Sequence, residues 1–389
     1  MGSDFPTRAV QLTPAGRGAV AVVRVVGSRA LDIVQQSFHS ASGKALAEFP
    51  AGRICYGRWD GMGGEDVIVT RLADSTQVEI HCHGGSAAIK AVLRRLAASG
   101  CAMIDWQDSL SATHPDPFQA AAARALAVAA TTKTARILLD QFHDALGKSI
   151  QAILLALENH ATAAALEQLK GLLRFDDLGL HLTTPWRVVL TGPPNVGKSS
   201  LINALVGFER AIVSAEPGTT RDVVTAVTAV GGWPIELADT AGVRQVVDPL
   251  EREGVNRAKR SRKHADLVVM VADATQNALP ADLLEGNGSE RVVLVVVNKI
   301  DLLTPERISA VEGATPDRYA TSAVTGVGIE KLLVAIQTSL VPIEPAPGTA
   351  IPFTTDQVQQ LRSAEQLARG GQREDASKLL RSMLSAKKS

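Results

Sequence analysis

The sequence predicts an α/β multidomain fold with a small N-terminal α/β domain, a helical domain and a domain built on a mostly parallel sheet. Three observations lead to this fold class. Valine runs such as residues 292–297 alternate with helical patterns in the second half, which is typical of strands buried on both faces of a parallel sheet. Residues 118–174 are rich in alanine and leucine at helical spacing. Residues 8–100 mix alternating strands with a helix.

Composition excludes several classes of protein. The 389 residues carry 40 basic (Lys and Arg) and 40 acidic side chains, which argues against a broad basic surface for wrapping nucleic acid. The three cysteines show no Cys-x-x-Cys spacing, so neither a disulfide scaffold nor a structural zinc site is indicated. No apolar run is long enough to span a membrane and no signal peptide is evident, so we expect a cytoplasmic protein with no membrane contact.

The N-terminal domain, assigned to residues 1–112, contains three predicted strands and one helix. Strands are expected at residues 19–26, 66–69 and 77–81, and a helix at 86–98 that ends at Gly100. Two prolines within three residues mark 111–117 as a linker that no helix continues through. His81 and His83 share one strand face, and we interpret them as structural or pocket histidines in preference to metal ligands.

The rest of the chain divides into three predicted segments. Residues 113–182 form the first part of the helical domain, expected to be an antiparallel pair of helices. Residues 183–342 form the parallel-sheet domain, and 343–389 a short second helical part with a helical segment over 355–388. The strands of the sheet are predicted at 187–190, 235–238, 267–272 and 292–297.

A phosphate-binding loop follows the first strand of this sheet. Residues 192–199 have the pattern G-x-x-x-x-G-K-S between a strand and a helix, where backbone N–H groups can wrap a phosphate. Lys198 adds a positive charge at the β- and γ-phosphate oxygens, and the Ser199 hydroxyl can bind Mg²⁺. The loop's predicted nucleotide-binding residues are Asn195, Val196, Gly197, Lys198, Ser199 and Ser200.

Further motifs specify the nucleotide. Asp239 ends a buried strand and can hold the Mg²⁺ shell, and the Gly242 amide that follows can contact the γ-phosphate. Asp301, after Asn298 and Lys299, can accept hydrogen bonds from guanine N1 and N2, which adenine does not offer together. Thr321, Ser322 and Ala323 end the last strand and can close on the guanine O6 through a backbone amide. The predicted ligand is therefore GTP, with additional contacts from Gly218, Thr219, Thr220, Thr240 and Ala241.

The residues that would drive hydrolysis differ from those of Ras-like enzymes. Val243 occupies the place of the glutamine that orients water there. Another charge must therefore stabilise the negative charge that develops between the phosphates. The Asn195 side-chain oxygen is suited to help hold a monovalent cation at that point. Its alternative role is to hydrogen-bond its own backbone, and the sequence leaves both open.

Three stretches resemble the tRNA-modification GTPases of the MnmE (TrmE) family. Residues 13–27 resemble the opening T-P-x-G-x-G motif with its arginine, and residues 65–68 with 78–85 resemble the motif that contains His-Gly-Gly. The nucleotide-binding block is similar throughout, including residues 218–222 and 250–254. The resemblance implies a folate-binding-like dimerisation domain at the N-terminus and a GTPase domain inserted into the helical domain.

The resemblance also implies a set of site residues and partners. Potassium would be bound by Asn195, Ser214, Glu216 and Thr219, and magnesium by Ser199 and Thr220. Lys198, Asp239 and Gly242 would act in catalysis, with Glu251 positioning the hydrolytic water. Potassium would replace an arginine finger when the GTPase domains of a homodimer meet. The expected partners are tRNA, modified at its wobble uridine, and a flavin-dependent protein of the MnmG (GidA) family.

The resemblance places 5-formyl-tetrahydrofolate in the N-terminal domain, on Arg24 and Glu79. The alternative interpretation makes these two residues surface charges on a sheet edge. Two departures from the family pattern concern the modification chemistry. Residues 105–122 lack the lysine expected there, and residues 384–389 lack the family's Cys-x-Gly-Lys.

Two other functions therefore stand beside the tRNA-modifying GTPase. One is a nucleotide-gated interaction switch that has lost the modification chemistry, which the missing cysteine and lysine favour. The other is a ribosome-assembly GTPase, against which the N-terminal domain argues. The basic run 257–263 could touch RNA phosphates, although on a helix such a run is more often a solvated face.

Overall fold

The computed structural model describes residues 6–14, 16, 18–61, 63–73, 76–114, 116–208, 225–239, 265–276, 293–312 and 318–385. The chain divides into two compact units, Met1–Pro115 and Asp116–Ser389. Each unit combines a β-sheet with helices, which confirms the predicted α/β multidomain fold. The finer domain boundaries proposed within the second unit stay predictions.

The described residues of the first unit form a seven-stranded sheet in the order β3-β4-β5-β6-β2-β1-β7. The strands are β1 Arg8–Gln11, β2 Val20–Val26, β3 Phe38–Ser40, β4 Ile54–Trp59, β5 Asp66–Arg71, β6 Gln77–His83 and β7 Ala102–Met103. β1 and β7 are parallel and the other neighbours antiparallel. Alternate residues of β2 and β6 are buried, so one face of the sheet forms the core of this unit.

Three helices accompany this sheet in the described part of the first unit. They are α1 Ala30–Gln35, α2 Ser86–Ala98 and α3 Trp106–Thr113. The α2 helix has the predicted bounds, and Gly100 after it adopts a φ of 90°, which favours glycine. Val92 and Leu96 of α2 are buried in the same core as the sheet valines.

The predicted linker at 111–117 is wrong in part, because helices enter it from both sides. The α3 helix starts from the Asp105 cap and runs on to Thr113. The next helix, α4 Pro117–Ala127, begins with Pro117 in its first turn. Proline is tolerated there because that backbone N–H has no partner within a helix. The Asp116 carboxylate accepts hydrogen bonds from the Phe118 and Gln119 amides, both at 2.8 Å.

The helical part of the second unit contains more helices than the predicted antiparallel pair. The described residues before the sheet form α4, α5 Thr132–Phe142, α6 Ala145–Glu158, α7 Thr162–Leu173 and α8 Asp176–Leu180. The helical segment predicted over 355–388 contains two helices, α12 Thr355–Arg369 and α13 Arg373–Leu384, with Gly371 at a φ of 78° between them. None of the helices in the described ranges is long and apolar enough to cross a bilayer.

The second unit contains a sheet of six described strands in the order β13-β12-β11-β8-β10-β9. The strands are β8 Trp186–Thr191, β9 Thr225–Val230, β10 Trp233–Asp239, β11 Leu267–Asp273, β12 Val293–Asn298 and β13 Arg318–Thr321. Only β9 is antiparallel to its described neighbour. The helices described in this block are α9 Lys198–Phe208, α10 Pro305–Glu312 and α11 Ile329–Leu340. The parallel strands end at one edge of the sheet, where ligands bind in open α/β folds.

Side chains of the helical segments contact the turn between β9 and β10. The Thr131 hydroxyl donates to the Gly232 carbonyl at 2.7 Å. The Lys133 ammonium lies 5.0 Å from the centre of the Trp233 ring and donates to Glu344 at 2.8 Å. That hydrogen bond holds the pKa of Glu344 below its ordinary value. The turn is therefore covered by residues that precede the sheet in the chain, Thr131 and Lys133, and by Glu344, which follows it.

A second contact joins the start of the sheet to α8. The His181 ring stacks on Trp186 with centroids 3.6 Å apart, and its Nε2 lies 3.3 Å from Asp266. Burial favours a lower pKa for His181, but hydrogen bonds to Asp266 and to the Asp177 carbonyl raise its pKa overall. Asp266 also accepts from the Arg187 amide at 2.6 Å. It therefore holds the beginnings of β8 and β11 together.

The α6 helix provides a test of the core in the second unit. Ile150 is fully buried, so Ile150→Ala should destabilise this unit by about 2–5 kcal/mol, seen as a lower thermal unfolding temperature by circular dichroism. Leu155 on the same helix is 58% exposed, and Leu155→Ala should change the transition little. Equal losses in the two variants would show that helix propensity, not the buried face, determines the stability of α6.

Candidate nucleotide site

The loop between β8 and α9 approaches neighbouring backbone too closely for most side chains. Gly192 has a φ of 143°, and a Cβ there would lie 2.1 Å from the Val271 carbonyl oxygen. Gly197 has a φ of 93°, and its Cβ would lie 2.4 Å from the Asn298 side-chain nitrogen. Both glycines of the predicted motif are therefore required by sterics as well as by backbone conformation.

Lys198, Ser199 and Asp239 come together at the end of this loop. Lys198 is buried, and its ammonium donates to the carbonyls of Gly192 and Pro193 at 3.1 and 2.8 Å. The Ser199 hydroxyl donates to Asp239 at 2.8 Å. A hydroxyl beside a buried carboxylate presents the hard oxygen atoms that Mg²⁺ prefers. These two residues fit a magnesium ion.

The side chain of Asn298 connects the loop to the last two strands. It is 1% exposed and donates from Nδ2 to the Val196 carbonyl at 3.0 Å. Its Oδ1 accepts from the Ala323 amide at 3.1 Å and from the Thr321 hydroxyl at 3.3 Å. This one amide group therefore fixes the relative positions of the loop, the end of β12 and the turn after β13.

Lys299 lies between the loop and the end of β11. Its ammonium donates to the Asn195 carbonyl at 2.6 Å and to Asp273 at 2.7 Å. Asn195 and Lys299 both have left-handed backbones, with φ of 63° and 68°. Such conformations cost a non-glycine residue about 1–3 kcal/mol each, so their surroundings must stabilise them.

The Asn195 side chain is exposed, which bears on the two roles predicted for it. Within the described ranges its side-chain amide makes no hydrogen bond, either to its own backbone or to another residue. The interpretation in which it bonds its own backbone finds no support there. The main chain of Asn195 is held by Lys299, which leaves the side-chain oxygen available at the loop surface.

The other predicted residues fall into two groups. Asp301 and Ser200 are exposed, Ser322 is buried, and the Ser322 amide donates to the Val327 carbonyl to form the turn after β13. The second group lies outside the described residues: Ser214, Glu216, Gly218, Thr219, Thr220, Thr240, Ala241, Gly242 and Glu251.

Asp273 is a residue of the site that the motifs miss, and Thr321, which belongs to the predicted guanine motif, makes a contact that the motif does not indicate. Asp273 contacts Lys299, and Thr321 donates to Asn298. A signal for Asp273 was present, because it ends a buried valine-rich strand as Asp239 and Asn298 do. Burial opposes ionisation of Asp273, but hydrogen bonds from Lys299 and Thr275 outweigh it, so its pKa lies below the ordinary value.

Arg24 and Glu79 lie in the first unit and form an ion pair. They are directly opposite each other on β2 and β6, with Arg24 Nη2 2.6 Å from Glu79 Oε1. The other Glu79 oxygen is 3.4 Å from His81. Both strands are interior to the sheet, so the interpretation as charges on a sheet edge is wrong about their place. Each side chain is half-buried and is already paired with the other.

Comparisons with known proteins match both the N-terminal unit and the segment that contains the phosphate-binding loop. Residues 7–105 match the family described as GTP-binding protein TrmE N-terminus, and residues 187–299 the family described as 50S ribosome-binding GTPase. The tRNA modification GTPase MnmE of Synechococcus sp. (strain JA-3-3Ab) is 34% identical over 90% of this chain and 84% of that protein. The chain belongs to the MnmE family. The MnmE of Geobacillus kaustophilus (strain HTA426) is 33% identical over 86% of this chain and 82% of its own length.

Family membership confirms the predicted class of enzyme. Like other MnmE proteins, the chain has a GTP-binding domain and is a GTP-hydrolysing enzyme. The MnmE resemblance found in the motifs extends over nearly the whole chain, including the helical segments between the two matched families.

The close approach of Gly197 to Asn298 leads to a test of the site. Gly197→Ala should weaken binding of a fluorescent GDP analogue by roughly 10- to 100-fold, because the methyl group displaces Asn298 and strains the backbone. Gly207→Ala, later in α9, places its methyl group in open space and should leave affinity unchanged. Equal affinities in the two variants would contradict the role assigned to Asn298.

Proposed function

We propose that this chain is a cytoplasmic, homodimeric, potassium-stimulated GTPase that modifies the wobble uridine of tRNA together with a flavin-dependent partner of the MnmG (GidA) family. The observation that carries the proposal is the 34% identity over 90% of the chain to proteins named tRNA modification GTPase MnmE. The zero net charge fits a protein that contacts tRNA locally and not over a broad basic surface.

The residues of the loop support a hydrolysis reaction assisted by cations. Lys198 and a magnesium ion on Ser199 and Thr220 would neutralise the phosphate oxygens. The unengaged Asn195 side chain fits a role in holding potassium, with Ser214, Glu216 and Thr219 as the further proposed ligands. A potassium ion there would stabilise the negative charge that grows between the β- and γ-phosphates. Glu251 would orient the attacking water, the role that Val243 cannot fill.

Arg24 and Glu79 are proposed to hold 5-formyl-tetrahydrofolate. The guanidinium can donate to ligand oxygens and the carboxylate can accept from ligand N–H groups. Because the two side chains are each other's partners at 2.6 Å, a bound folate would have to share or replace their ion pair. The interior position of both strands keeps the pair half-buried, which strengthens such hydrogen bonds relative to a fully exposed site.

The potassium proposal is tested by the salt dependence of hydrolysis. GTP hydrolysis should be at least about 10-fold faster in KCl than in NaCl at equal ionic strength. Asn195→Ala should lower the KCl rate to the NaCl rate, because one cation ligand is lost. Asn203→Ala, an exposed residue in α9, serves as the matched control and should keep the difference. Equal rates in the two salts for the unmodified protein would refute the potassium mechanism.

The tRNA proposal is tested by mass spectrometry of wobble uridines. Cells without the gene should lose the C5-substituted uridine, and a plasmid copy should restore it. A Glu251→Ala copy should bind GTP without restoring the modification, whereas Glu253→Ala should restore it. An unchanged uridine after deletion, in a cell without another family member, would favour the interaction switch.

A further inference from the structure

Asp273 has a role in the site that neither the motifs nor the proposed mechanism assign. It ends β11, directly opposite Asn298 in the register of β11 with β12. Its side chain is 9% exposed. Oδ1 accepts from the Thr275 amide at 2.9 Å and from the Thr275 hydroxyl at 2.7 Å. The Thr275 contacts fix the carboxylate so that Oδ2 points at Lys299.

Lys299 links the fixed carboxylate of Asp273 to the phosphate-binding loop. Its ammonium is 2.7 Å from Asp273 Oδ2 and 2.6 Å from the Asn195 carbonyl oxygen. Asn195 and Lys299 both need external stabilisation for their left-handed backbones. A half-buried ammonium that loses its carboxylate turns toward water, because one partner alone leaves a charge uncompensated. The Asn195 carbonyl would then lose its donor.

We infer that Asp273 is a positioning residue of the nucleotide site, which acts through Lys299 on Asn195 and sets how fast guanine nucleotide is released. A second consequence, the affinity for potassium at Asn195, rests on the proposed function. In this proposal Asp273 acts through Lys299 and not by contact with either ligand. Its alternative is a structural ion pair that stabilises β11 without affecting the loop.

The isosteric variant Asp273→Asn tests this inference. It keeps an acceptor for Thr275 and removes the charge that holds Lys299. The dissociation rate of fluorescent GDP and GTP analogues should rise about 10-fold, and the KCl concentration for half-maximal hydrolysis should increase. Asp266→Asn is the matched control, because Asp266 holds the opposite end of β11. Nucleotide release should change less than about twofold in that variant.

A double-mutant cycle separates positioning from strand stability. If Asp273 acts through Lys299, then Asp273→Asn combined with Lys299→Ala should release nucleotide no faster than Lys299→Ala alone. Additive effects, or unchanged release in a folded Asp273→Asn protein, would overturn the inference. Should Asp273→Asn unfold, Thr275→Val takes its place, and unchanged release there would overturn the inference too. Equal hydrolysis in KCl and NaCl by the unmodified protein would remove only the potassium proposal.

Discussion

One buried side-chain amide, that of Asn298, holds the nucleotide site together. A buried polar group without partners costs about 1–3 kcal/mol, so its donors and acceptors constrain everything around it. Nδ2 requires the Val196 carbonyl, and Oδ1 is used by Thr321 and Ala323. The contact leaves no room for a Cβ at position 197. The shape of the phosphate-binding loop and the turn after β13 are therefore set by the same three hydrogen bonds.

The parts of the fold that sequence predicts well are those with local signals. For α2, the hydrophobic spacing and the following glycine together predict the observed bounds. The strands at 187–190, 235–238, 267–272 and 292–297 are predicted from apolar runs, and the loop from two glycines at fixed spacing, whereas β9 is not among the predicted strands. The role of Asp273 could not be predicted in the same way. It depends on the register of β11 with β12, which brings residues 26 positions apart into contact.

The helical segments show where local signals are weak. The breaks between α4 and α7 fall at residues such as Asp144 and His160, both at positive φ, and not at glycine or proline. Proline misled in the opposite direction, because Pro117 lies in the first turn of α4 and not in a linker. The residue types of Arg24 and Glu79 mark them as candidate site residues. Their interior place in the sheet depends on the strand order, which the sequence does not show.

Contacts at the turn between β9 and β10 tie the GTPase block, residues 183–342, to the helical segments around it. Trp233 is buried, and the groups that cover its turn, Thr131, Lys133 and Glu344, come from helical segments before and after the block. Residues of the helices and of the sheet belong to one hydrophobic core. A fragment cut to 183–342 would leave an indole and a glycine turn open to water at the margin of its sheet. The block and the helices around it share this core. A graft of the block alone would therefore lack the side chains that cover its β9–β10 turn.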